Sequence, residues 1–166
     1  MVLMVPAAWS QHQPYGGMQT RAIKTLSDQQ IADLRAGRGM GLALAAELNG
    51  YPGPVHVLEL AEHLDLTDEQ RDRMRQLFDA MKGETIALGE RLINAEASLD
   101  RAFATKAITD RSLSEDVDAI GTLQAALRTA HLKYHLATRA LLSEQQIARY
   151  AELRGYGTDT PHRQHR

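Results

Sequence analysis

The chain has 166 residues, no cysteine and a formal charge of −2, with a pI near 6.4. At 43% hydrophobic but only 5% aromatic residues, one domain's length of such chain suits a helical bundle and lacks the aromatic richness of a sheet. The charge balance excludes the basic footprint of a nucleic-acid binder, and the missing cysteines exclude disulfides and thiolate chemistry without choosing a compartment.

Met1 to Ser10 (MVLMVPAAWS) read as the end of a secretory apolar run followed by small residues at a cleavage site, with the basic leading region missing. The run is too short to span a bilayer, and no other segment is a transmembrane candidate. Residues 1–20 are therefore expected to be a signal-peptide remnant and flexible leader, 21–156 a single helical domain, and 157–166 (GTDTPHRQHR) a disordered tail.

The first helix should begin at Asp28. Ser27 can cap it, Gln30 can return a bond to the Ser27 N–H, and Leu26 with Ile31 forms a hydrophobic staple. Its apolar pattern runs on through IADLRAGRGMGLALAAEL and predicts a stop at Asn49-Gly50. Gly37, Gly39 and Gly41 inside that helix would each cost about 1 kcal/mol against alanine, which close packing around Met40 to Ala46 would explain. The apolar stretch there covers most of the helix circumference, so core burial is the expectation, with an oligomer contact as the other option.

Pro54 opens a short helix, VHVLELAEHL, with Val57, Leu58, Ala61 and Leu64 on one face. Leu66-Thr67-Asp68-Glu69-Gln70 is a second capping box. The helix it opens carries Met74, Phe78, Met81, Leu88, Leu92, Ala95, Leu99 and Phe103 in a three-to-four rhythm to about Ala104, a rod of roughly 50–60 Å. Ile108 to Ser112 make the turn, with Ser112 and Glu115 as the expected cap. The return helix then carries Leu113, Val117, Ile120, Leu123, Leu127, Ala130, Tyr134, Ala137 and Leu141. Two matching stripes on a short connection predict an antiparallel helical hairpin in an all-α fold with additional N- and C-terminal helices. A third box, Leu142-Ser143-Glu144-Gln145-Gln146, opens a final helix that Gly155 should end.

Each box taken alone is helix punctuation: Leu26, Ser27 and Gln30; Leu66, Thr67 and Gln70; Leu142, Ser143 and Gln146. Repeated around one long hairpin, they make the chain resemble the Spy/CpxP family of bacterial periplasmic stress proteins. That family is defined by paired LTxxQ boxes on a thin four-helix fold and is related to periplasmic heavy-metal resistance and sensor proteins. Leu66, Thr67 and Gln70 match the box fully. Leu142, Ser143 and Gln146 match with serine for threonine, the box at Leu26 is extra, and the likeness spans about Ser27 to Tyr156. The resemblance implies a periplasmic, ATP-independent chaperone or envelope-stress adaptor, often a homodimer, whose partners are unfolded or misfolded proteins or a membrane sensor. Client contacts are expected at Met40, Leu42, Leu44, Arg35 and Arg38.

Heavy-metal binding or sensing is the alternative function. His131 and His135, four apart on the return helix, can project to one side and hold Zn²⁺, Ni²⁺, Co²⁺ or Cu²⁺. His56 and His63 are possible further donors, with Glu59 and Glu62 near them. The competing expectation is that His131 and His135 are half-exposed flank residues. No cofactor is required by the chaperone reading, and catalysis is not expected: no nucleophile elbow, phosphate loop or HExxH occurs, and GRGMG lacks a preceding strand.

Overall fold

The computed structural model of the protein describes residues 15–156, and among these it is all-α. The expected signal-peptide remnant (residues 1–10), most of the leader and the tail lie outside them. After a 3-10 turn at Met18–Thr20 come α1 (Asp28–Arg35), α2 (Leu44–Glu47), α3 (Pro54–Glu59), α4 (Asp68–Ala104), α5 (Asp110–Ala140) and α6 (Glu144–Arg154). No helix among the described residues is long and apolar enough to cross a membrane.

All three L-[S/T]-x-x-Q boxes close as reciprocal caps. Ser27, Thr67 and Ser143 each accept the backbone N–H of the glutamine three residues on, and the side-chain oxygens of Gln30, Gln70 and Gln146 accept the cap residue's own N–H. The hairpin's return helix is capped one turn earlier than Ser112 and Glu115 would place it. Thr109 is the cap and Ser112 takes the third position, its hydroxyl accepting from the Thr109 N–H at 3.0 Å. Ser112 is a short side chain that reaches back as glutamine does, so Thr109-x-x-Ser112 closes a box without an amide.

The predicted single helix from Asp28 to Asn49 is broken in two. Gly37 takes a left-handed φ of 65° after α1; its N–H reaches Leu34 O at 3.1 Å, and Arg38 N–H reaches Asp33 O at 2.9 Å. This is the helix-ending double bond that only a residue free of a Cβ penalty forms cheaply. Met40 and Gly41 follow with φ of 43° and 79°, so the chain bends before α2. Close packing along a continuous helix is therefore not what the glycines serve. A Cβ on Gly37 would stand 2.7 Å from Thr85 Oγ1, inside contact distance. The apolar run is split accordingly: Ala43 is buried and Leu42 partly so, while Met40 and Leu44 are 41% and 55% exposed.

The helix predicted over VHVLELAEHL is also shorter. Regular turns end at Glu59, and Leu60 and Ala61 donate back only three residues, to Val57 O and Leu58 O, in tightened turns. Val57, Ala61 and Leu64 nonetheless share the buried face.

Two apolar clusters hold the hairpin. Ile23, Leu26 and Leu34 pack on Leu92, Ile93, Ile120, Leu123 and Leu127 in its middle, while Val57, Ala61, Leu64, Leu66, Met74 and Tyr150 fill its base. Lys24 pairs with Asp100 at 3.2 Å and the Thr25 hydroxyl donates to Glu96 at 2.8 Å, fixing the N-terminal arm along α4. At the far tip, among the described residues, α4 and α5 face each other without a third helix. Phe103, Leu113 and Val117, expected on the buried stripe, are therefore 54%, 37% and 50% exposed.

Candidate functional site

The candidate site forms where α2, the start of α3, α5 and α6 meet. Glu47 ends α2 and is only 6% exposed, and a buried carboxylate needs partners for every lone pair. Its Oε2 accepts from the Gly53 N–H at 3.0 Å; its Oε1 accepts from the Tyr150 hydroxyl and, at 3.4 Å, from that of Tyr156. His56 Nδ1 stands 3.5 Å from Oε1 and His135 Nδ1 3.7 Å from Oε2. Burial pushes the Glu47 pKa up, but the contacts from His56, Tyr150 and the Gly53 N–H outweigh it and hold the carboxyl at about 2. The same pair acts oppositely on Tyr150: burial first, then its bond to Glu47, pushes the phenol far above its usual range, so it remains a neutral donor.

His131 and His135 are buried, at 2% and 7% exposed, not half-exposed flank residues. The buried face of α5 turns from Ala130 onto His131, His135 and Thr138, which leaves Tyr134 and Ala137 at its margin. His135 Nδ1 is 2.6 Å from the Tyr51 carbonyl oxygen, which can only accept, so Nδ1 is the donor in that bond and Nε2 is the ring's other nitrogen. That ring lies against Gly53, where a Cβ would come within 3.1 Å of Nε2. His131 Nε2 is buried with no hydrogen-bond partner among the described residues, and burial, helped by the neighbouring His135, lowers the His131 pKa so that the ring is neutral.

His56, His131, His135 and Glu47 line one cleft of about 710 Å³, rimmed by Met40, Leu44, Phe78 and Met81. His63 does not join them: it lines a second cleft of about 630 Å³ beside Gln70 and Gln146. Glu59 borders the histidine cleft, and its outer oxygen pairs with Arg154 at 3.9 Å. The donors suit a borderline transition ion in kind, yet among the described residues no three His, Asp or Glu side chains converge closely enough to hold one as they stand. Arg35 lies elsewhere, in a surface ion pair with Glu90 at 3.1 Å, whereas Arg38 borders the histidine cleft and pairs with Asp33 at 2.6 Å.

Sequence reasoning missed Glu47 and Tyr150. The available signal was one carboxylate inside the apolar run LALAAEL, a placement that demands partners.

At the base of the hairpin the second and third boxes meet. Beyond its capping bond, Gln70 Nε2 donates to Leu141 O at 2.7 Å, and Gln146 Nε2 donates to Leu64 O at 3.1 Å, so each box also ties down the chain leading into the other.

No curated protein and no solved structure matches the chain. A family model described as heavy-metal resistance matches residues 40–149, a span that contains Glu47, His56, His131, His135 and both paired boxes. The match agrees with the all-α hairpin and with the resemblance carried by the boxes, and it covers more than half of the sequence: the chain belongs to the heavy-metal resistance family.

Proposed function

We propose that the protein works in the periplasm as a non-catalytic resistance protein that captures or senses a divalent transition metal, Zn²⁺, Ni²⁺, Co²⁺ or Cu²⁺, in the Glu47, His56, His131 and His135 cleft. The observation that carries this reading is the neutral, buried His131 ring, its Nε2 without a partner among the described residues, sharing one cleft with an ionised carboxylate. Neutral imidazole and carboxylate are the donor types these ions take. The bond from His135 Nδ1 to the Tyr51 carbonyl is the outer-shell contact that fixes a ligand's tautomer and presents Nε2. Met40 and Met81 line the same cleft. Because the donors do not yet converge, uptake draws them together and affinity includes the cost of that movement. Titration calorimetry tests the reading: heat at one equivalent that is lost in Glu47→Gln and in His131→Ala supports it, and no heat with any of the four ions refutes it.

A second reading, chaperone or adaptor action, is favoured by one observation. Met40, Leu44, Leu48 and Leu136 are 41%, 55%, 57% and 59% exposed. Scattered apolar residues of this size suit an unfolded client, a membrane sensor or a second copy of the chain. Slower aggregation of an unrelated unfolding protein, abolished by Met40→Asp with Leu44→Asp, would establish it; an equimolar dose without effect would remove it.

A further inference from the structure

We infer that the hydrogen bond from Tyr150 to Glu47 is a latch: a cation taken up in the cleft competes with the Tyr150 hydroxyl for the Glu47 carboxylate and thereby loosens helix α6. The inference rests on the metal-uptake reading and adds to it how the site is regulated and which element reports its occupancy. Both Glu47 oxygens are already committed, Oε2 to the Gly53 N–H and Oε1 to Tyr150, with Tyr156 at 3.4 Å and His56 at 3.5 Å around the same oxygen. An ion that needs a carboxylate oxygen must displace a donor. The Gly53 N–H belongs to the backbone entering α3 and cannot swing away, whereas Tyr150 is a side chain on α6, the last helix of the described residues.

Helix α6 has 11 residues, below the length at which an isolated helix holds itself together in water. Its start is fixed independently, through Gln146 and the Ser143 cap. Beyond that turn its buried anchors are Ile147, 8% exposed, and Tyr150, 2% exposed, the latter packed among Val57, Leu66 and Met74. Losing the Tyr150 bond leaves a phenol hydroxyl unpartnered in the basal core, which favours release of the ring and fraying of the helix from Ile147 to Arg154.

Hydrogen exchange and calorimetry on the full chain with Zn²⁺ alone test this together. In the native sequence, Zn²⁺ should raise exchange of the amides from Ile147 to Arg154 by about tenfold or more, the factor that the loss of one charge-assisted bond allows. Exchange around Gln70 should not change. Tyr150→Phe, which has neither the bond nor a hydroxyl to strand, should bind Zn²⁺ roughly tenfold tighter and lose the Zn²⁺-dependent rise of α6 exchange, while Tyr156→Phe should behave as the native chain. Heat of binding with unchanged or slowed α6 exchange overturns the latch and leaves metal uptake standing. Absence of heat overturns metal uptake and the latch with it. Should Tyr150→Phe lose its helical circular dichroism, the exchange measured on the native sequence decides alone.

Discussion

Gln70 and Gln146, 76 residues apart, face each other as a closed amide pair: Gln70 Nε2 donates to Gln146 Oε1 at 3.0 Å, and Gln146 Nε2 donates to Gln70 Oε1 at 3.1 Å. The Thr67 and Ser143 N–H groups, which can only donate, orient both amides by facing their oxygens. Each glutamine therefore caps its own helix and holds the other's, joining the start of α4 to the start of α6. Gln70→Ala and Gln146→Ala should each cost about 1–3 kcal/mol, because each strands the partner amide in a half-buried place. The double variant should cost less than the sum by about 0.5 kcal/mol or more. Gln30, whose side-chain oxygen among the described residues makes just the capping bond to the Ser27 N–H, should be additive with either. Urea unfolding of the four proteins measures this, and strict additivity of Gln70 and Gln146 would contradict the clasp.

Glycines on the hairpin divide by what a side chain would meet. A Cβ on Gly89 would lie 2.5 Å from the Leu34 carbonyl oxygen, a backbone atom of the helix packed against it. Gly89→Ala should separate α1 from α4 and cost about 2 kcal/mol or more, as overpacked sites do. Gly83 and Gly121 are exposed positions of α4 and α5 where a Cβ would meet nothing within 4 Å among the described residues. Alanine there should stabilise by up to about 1 kcal/mol through helix propensity alone. Thermal melts of the three variants should therefore shift in opposite directions.

Acid should lower the protein's stability in two pH windows. His131 has its pKa lowered from 6.5, chiefly by burial and then by His135, so below 6.5 the unfolded chain takes up a proton that the folded chain resists, and stability falls. Glu47, lowered from 4.5 to about 2, contributes stability that is fully present above 4.5 and is lost as pH falls through about 2. Urea midpoints followed with pH should decline in both windows. His131→Gln should flatten the upper decline and Glu47→Gln the lower one, and a native midpoint that does not change between about pH 7 and pH 5 would contradict the account of His131.

The helix starts were legible because capping is local: Ser27, Thr67 and Ser143 each announce themselves within four residues, and the hairpin's length follows from the rhythm between Met74 and Phe103. The breaks were not. Gly37 could be read as a tolerated helix glycine or as a left-handed stop, and what decides is Thr85, 48 residues away, against which no Cβ fits. Periodicity likewise placed His131 beside the apolar stripe and could not say that the bend at Gly39 would lie against it. The histidine pair was visible as two residues four apart. Its carboxylate was not, because Glu47 and Tyr150 are 103 residues apart and meet only after α6 folds back on the base.

Copper electron paramagnetic resonance tests the central claim most directly. With one equivalent of Cu²⁺, the full chain carrying His162→Ala and His165→Ala, which removes the histidines near its C-terminus, should show nitrogen hyperfine structure from imidazole ligands. That structure should be lost when His131→Ala and His135→Ala are added and weakened, with altered parameters, by Glu47→Gln. A spectrum that does not change when His131 and His135 are replaced would contradict metal capture in this cleft.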